Sequence, residues 1–94
     1  GGEALDPEVL VVEDEVLVLM LLRDAFEDVG LRVAAATDAE SALSMLDARE
    51  DGGPEPGLRP SVLVTDLNLG PGADGLELAA AVRRRMPDLP VVYV

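Results

Sequence analysis

The chain has 94 residues, 7 basic against 19 acidic side chains, a formal net charge of −12, and hydrophobic residues at 49% of its positions. A chain this short supports one hydrophobic core and not two, so one acidic, soluble domain over residues 1–94 is expected. The absence of cysteine and histidine excludes a disulfide framework, thiolate or imidazole metal sites, and Cys or Ser-His-Asp nucleophilic catalysis, which leaves carboxylates to carry any chemistry.

Val9-Leu10-Val11-Val12 is a continuous, mostly β-branched run bracketed by charges, the pattern of a central strand covered on both faces. A helix is predicted over 15–29, with Val18, Leu21, Leu22, Ala25 and Val29 on one stripe and Gly30 just past its end, where a left-handed backbone is needed. An edge strand follows over 31–36, marked by Arg32. Thr37-Asp38-Ala39-Glu40 has the capping-box form, so a second helix is predicted over 38–50.

Residues 51–60 hold Gly52, Gly53, Pro54, Pro56, Gly57 and Pro60 and read as an expanded surface loop, since the flanking segments are too short to be separate domains. Val62-Leu63-Val64 is a second buried-type strand ending at Asp66, followed by a Gly70-Pro71-Gly72 turn. That turn lacks the Lys and Ser or Thr of a phosphate-binding loop. A third helix is predicted from an Asp74 N-cap to Met86, stopped by Pro87, and residues 90–94 form a fourth strand. The order βαβαβαβ with apolar strands implies an α/β, doubly wound parallel sheet with helices on both faces.

In such a sheet ligands bind beyond the carboxyl ends of the strands where the strand order reverses. If the order is 2-1-3-4, the first and third strands are neighbours, and Glu13, Asp14 and Asp66 converge from distant sequence positions on one cleft. Two carboxylates about 5 Å apart repel by about 3 kcal/mol at an effective dielectric of ~20. A group of three therefore holds protons at raised pKa values or holds a hard cation, and Mg²⁺ suits a small all-oxygen site. Glu13-Asp14-Glu15 alone reads as an acidic first helical turn, and Asp66 alone as a turn residue. Their conjunction after adjacent strands points to a site.

These pieces resemble the receiver domain of two-component response regulators, a flavodoxin-like fold. The resemblance rests on Val11-Val12-Glu13-Asp14-Glu15, Val64-Thr65-Asp66-Leu67-Asn68, Asp74-Gly75-Leu76-Glu77-Leu78 and Pro90-Val91-Val92-Tyr93-Val94, and runs over about residues 9–94. It implies that Asp66 is the phospho-accepting aspartate, that Asp14 and Asp66 bind Mg²⁺ directly, that Glu13 contacts a metal-bound water, and that the Asn68 carbonyl completes the metal site. The implied partner is a histidine kinase or histidine phosphotransfer domain, and the implied role is a phosphorelay signalling module with no enzymatic turnover beyond its own phosphorylation and dephosphorylation.

The sequence departs from the family pattern in having no lysine, with seven arginines at 23, 32, 49, 59 and 83–85, and in ending at Val94, where the family's switch Ser or Thr would follow. The expectation is a receiver without its fifth strand and last helices. The other readings are a phosphorylation-independent receiver-like interaction domain and a carboxylate-metal phosphatase, the latter disfavoured because the acids lack Asp-x-Asp spacing.

The apolar run of residues 16–22 exceeds what one helix face can bury. Leu17, Leu19 and Met20 are therefore expected partly outside, either as scattered surface hydrophobes or as a docking face for the phosphodonor. Arg83-Arg84-Arg85 complements the helix dipole. The apolar 91–94 strand is expected as an exposed edge that pairs two copies, unless the charge of −12 keeps the chain monomeric or the chain is part of a longer protein. A pI near 4.1 argues against nucleic acid or anionic membrane as partners, two aromatics argue against base stacking, and no run reaches the length of a membrane span. The expected location is cytoplasmic.

Overall fold

A computed structural model of the chain describes residues 7–47, 58–70 and 74–94. Four strands and three helices alternate: β1 (Val9–Val12), α1 (Val16–Asp28), β2 (Val33–Ala36), α2 (Ala39–Leu46), β3 (Val62–Thr65), α3 (Gly75–Arg85) and β4 (Val91–Tyr93). The strands form one parallel sheet in the order β2-β1-β3-β4, as the sequence predicts. In β1, Val12 pairs with Ala36 on one side and with Thr65 on the other. The last residues of three strands are thereby aligned at one edge.

The side-chain alternation of β1 divides the core into two layers. Leu10 and Val12 pack with Leu63, Ala39, Ala42, Leu46, Leu78 and Val82 beneath α2 and α3. Val9, Val11 and Val64 pack with Leu19 beneath α1, joined by the partly buried Leu22 and Phe26.

This arrangement corrects the predicted register of α1. Leu19 is the buried residue of the helix, 8% exposed, whereas Leu21 is 70% exposed, and Ala25 and Val29 also face outward. Val16, Leu17, Met20 and Leu21 form the exposed apolar set, so Leu19 leaves the expected outer group and Leu21 enters it. The reason is packing: Leu19, Leu22 and Phe26 meet Val9, Val11 and Val64 of the sheet, which leaves Leu21, Ala25 and Val29 outside. The Glu13 N–H donates to the Ala36 carbonyl at 3.1 Å, holding the residue beyond β1 against β2, and the Leu19 N–H donates to the Glu15 carbonyl at 2.9 Å. At the other end Gly30 takes φ +90, and its N–H donates to the Glu27 carbonyl.

The cap of α2 also differs from the expected box. Asp38, not Thr37, is the N-cap, its extended backbone placing Oδ1 2.7 Å from the Ser41 N–H, with Glu40 in the first turn. The predicted continuation of this helix through 48–50, the 51–57 part of the loop and the 71–73 part of the turn lie outside the described residues. Asp74 caps α3 as expected, accepting the Glu77 N–H at 2.8 Å, and the helix carries Arg83, Arg84 and Arg85 in its last turn. Arg85 also reaches Asp47 at the end of α2, tying the two helices on that face together.

Candidate functional site

Parallel pairing of β1 with β3 sets the position of the acids. Glu13 and Asp14 follow the last residue of β1, Asp66 follows the last residue of β3, and these last residues, Val12 and Thr65, are register partners. Hydrogen bonds hold the ends of the strands together. The Asp66 N–H donates to the Val12 carbonyl at 3.2 Å, and the Val94 N–H donates to the Thr65 carbonyl at 3.0 Å, so Asp66 is held from both neighbouring strands.

Carboxylate oxygens of Glu13, Asp14 and Asp66 all lie within 4.8 Å of one another. Their environments differ. Glu13 is 3% exposed, Asp66 is half-buried and Asp14 is open to solvent. Burial pushes the Glu13 carboxyl above its ordinary value of 4.5, helped by a side-chain hydrogen bond to Asp66 and by the charges of Asp66 and Asp14. The Glu15 N–H, which donates to Glu13 Oε1 at 3.2 Å, opposes that rise without cancelling it. The ion pairs among the described residues join Arg23 to Glu27, Arg32 to Glu8 and Arg85 to Asp47, and none reaches this cluster.

A carboxyl whose folded-state pKa is raised contributes stability that is fully present below its unfolded value and is lost as pH rises through the folded value. In metal-free buffer, Glu13 is therefore expected to make the protein less stable as pH climbs above 4.5. Thermal melts across pH 4–8 should show Glu13→Gln gaining on the wild type toward neutral pH. Parallel curves for the two proteins would contradict the assignment.

Neighbouring residues shape the cluster, two of which, Thr65 and Gly75, the sequence had given no role. Thr65 is fully buried at the end of β3, and its hydroxyl donates to the Asp66 carbonyl at 2.9 Å, orienting the peptide that follows the strand. Asn68, whose carbonyl was expected to complete the metal site, is exposed, and its N–H donates to Asp66 Oδ1 at 3.0 Å. Gly75 opens α3 directly against the Asp66 carbonyl, with its N–H donating to the Leu67 carbonyl at 2.9 Å. A polar residue ending a buried strand and a glycine at the first position of a helix were the legible signals for Thr65 and Gly75. Neither shows its contact without the tertiary structure.

Three oxygen donors from two neighbouring strand ends, with no cationic side chain among them, suit a hard divalent cation. The sequence model of the response regulator receiver domain family matches residues 9–94. The chain belongs to that family. This receiver is 34% identical over 88 residues to the nitrogen assimilation regulatory protein NtrX of Azorhizobium caulinodans, covering 93% of this chain and 17% of that one. It is 36% identical over 87 residues to the response regulator protein FleR of Pseudomonas aeruginosa, covering 93% and 16%.

Among solved structures, the receiver domain of NtrX from Brucella abortus superposes with a TM-score of 0.74 at 32% identity, over 90% of this chain and 64% of that one. The chemotaxis protein CheY4 of Vibrio cholerae gives 0.76 at 24% identity, over 95% and 68%, a likeness of fold alone. The receiver thus spans about one sixth of the length of the two curated relatives. It is a receiver domain of two-component response regulators, a signalling domain rather than a catalytic one. No helix among the described residues is long and apolar enough to cross a membrane.

Proposed function

We propose that this receiver accepts a phosphoryl group on Asp66 from the phosphohistidine of a histidine kinase or histidine phosphotransfer domain, with Mg²⁺ held by Asp14, Asp66, the Asn68 carbonyl and, through water, Glu13. The observation that carries this reading is the approach of the three carboxylates within 4.8 Å at the ends of β1 and β3. Membership of the response regulator receiver family supports the choice of donor.

Asp66 is suited to the nucleophilic role. The Asn68 N–H engages one of its carboxylate oxygens, Oδ1, and holds the group in place at the end of β3. A P–O bond to Asp66 forms, the P–N bond to the donor imidazole breaks, and the imidazole leaves with the electron pair and takes up a proton from solvent. Asp14, exposed at the mouth of the cluster, faces the incoming donor, while Glu13 stays buried behind it. Mg²⁺, when bound, supplies the positive charge that offsets the three acids and the phosphoryl oxygens.

Treatment with acetyl phosphate and millimolar Mg²⁺, followed by borohydride trapping and mass spectrometry, is expected to place a single label on Asp66. The label should disappear in Asp66→Ala and weaken in Asp14→Asn or when Mg²⁺ is chelated. Labelling that persists in Asp66→Ala overturns the assignment. A folded protein that takes no label overturns the phosphoacceptor reading in favour of a phosphorylation-independent interaction domain.

A further inference from the structure

The loop after β3 brings a second glycine against the acid cluster. Gly70 has φ +76, a left-handed backbone that disfavours any residue with a Cβ. The residue before it, Leu69, is buried in the core beneath α2 and α3, which anchors the loop and prevents it from sliding outward. A Cβ built on Gly70 would stand 3.1 Å from Asp14 Oδ2, closer than ordinary van der Waals contact. Backbone on the anchored side resists movement, whereas Asp14 is an exposed side chain free to turn. The carboxylate is therefore the group that yields.

Gly30 separates the two demands made on Gly70. It has φ +90, the same left-handed requirement, but nothing lies within 4 Å of where its Cβ would be. A methyl group at position 30 meets backbone strain alone. At position 70 it meets backbone strain and Asp14.

We propose that Gly70 is a positioning residue for Asp14: the missing side chain at position 70 leaves room for the Asp14 carboxylate beside Glu13 and Asp66, and a Cβ there displaces it. The consequence for cation affinity rests on the reading of the cluster as a Mg²⁺ site. Moving one of the three carboxylates out of the cluster is expected to weaken Mg²⁺ binding.

The test compares Gly70→Ala, Gly70→Asn and Gly30→Ala with the wild type. Asparagine tolerates the left-handed region, so Gly70→Asn keeps the Cβ contact while relieving backbone strain. Three readouts are taken: the metal-free melting midpoint, Mg²⁺ affinity by calorimetry, and the ¹³C resonance of the Asp14 carboxylate in metal-free protein. Gly30→Ala and Gly70→Ala are expected to lower the midpoint comparably. Only the position-70 variants should shift the Asp14 resonance and weaken Mg²⁺ binding.

Wild-type affinity in folded Gly70→Asn overturns the proposal, as does an Asp14 resonance that Gly70 variants leave unmoved. If the wild type itself binds no Mg²⁺, the cation reading fails. The Asp14 resonance then still decides whether Gly70 positions that carboxylate.

Discussion

Gly75→Ala is expected to destabilise the protein by about 1–3 kcal/mol, the cost of forcing an extra methyl into a packed site, although alanine is the better helix former. At an unstrained helical position the same substitution stabilises by about 0.4–1 kcal/mol, because it restricts the unfolded chain. The sign reverses here because the added Cβ would collide with the Asp66 carbonyl oxygen and lie 2.9 Å from both the Asp66 carbonyl carbon and Leu67 Cα. These are main-chain atoms, pinned by the Gly75 N–H to Leu67 carbonyl bond at 2.9 Å and by the Thr65 hydroxyl on the Asp66 carbonyl. No side-chain rotation relieves the overlap. Since the atoms that must shift belong to Asp66, acetyl phosphate labelling is expected to fall together with the melting midpoint. A midpoint that is unchanged or raised would show that α3 does not begin in contact with the β3 terminus.

Leu19→Ala is expected to cost about 2–5 kcal/mol, whereas Leu21→Ala should remain within about 0.5 kcal/mol of the wild type. The two residues lie two positions apart in an unbroken apolar run, and both are leucine, so the contrast isolates tertiary placement from composition. Leu19 fills the layer between α1 and the strand residues Val9, Val11 and Val64, and its truncation leaves a cavity there. Leu21 is 70% exposed and has little burial to lose. For a domain of this size each kcal/mol moves the midpoint by about 4–8 °C, so differential scanning calorimetry separates the two variants readily. Equal losses would return α1 to the register read from the sequence. The same placement redraws the apolar surface beside the acid cluster as Val16, Leu17, Met20 and Leu21, and substitutions intended to probe docking belong at those positions and not at Leu19.

Strand and helix identity was legible because the local signals agree with one another. β-branched runs at 9–12 and 62–64 could be buried only on both faces, Gly30 and Pro87 stop helices by backbone chemistry, and Asp74 caps α3 as its side chain allows. The convergence of Glu13, Asp14 and Asp66 was legible too, because a parallel sheet in the order 2-1-3-4 leaves those strand ends nowhere else to go. Seven consecutive apolar residues, by contrast, carry no periodicity, so the face of α1 that meets the sheet was decided by the packing of Leu19, Leu22 and Phe26 on Val9, Val11 and Val64. Thr37 and Asp38 were both able to cap α2, and the extended backbone at Asp38 selected its carboxylate.

Composition and pattern along the chain thus determined which segments are strands and helices, the parallel topology and the acids at its carboxyl edge, since all of these follow from local backbone preferences and from apolar burial. The tertiary structure alone decided the rotation of α1, the burial that raises the Glu13 pKa, and the contacts of Gly70 with Asp14 and of Gly75 with Asp66. Each of these depends on distances of a few ångströms between groups far apart in sequence, which spacing along a chain does not encode.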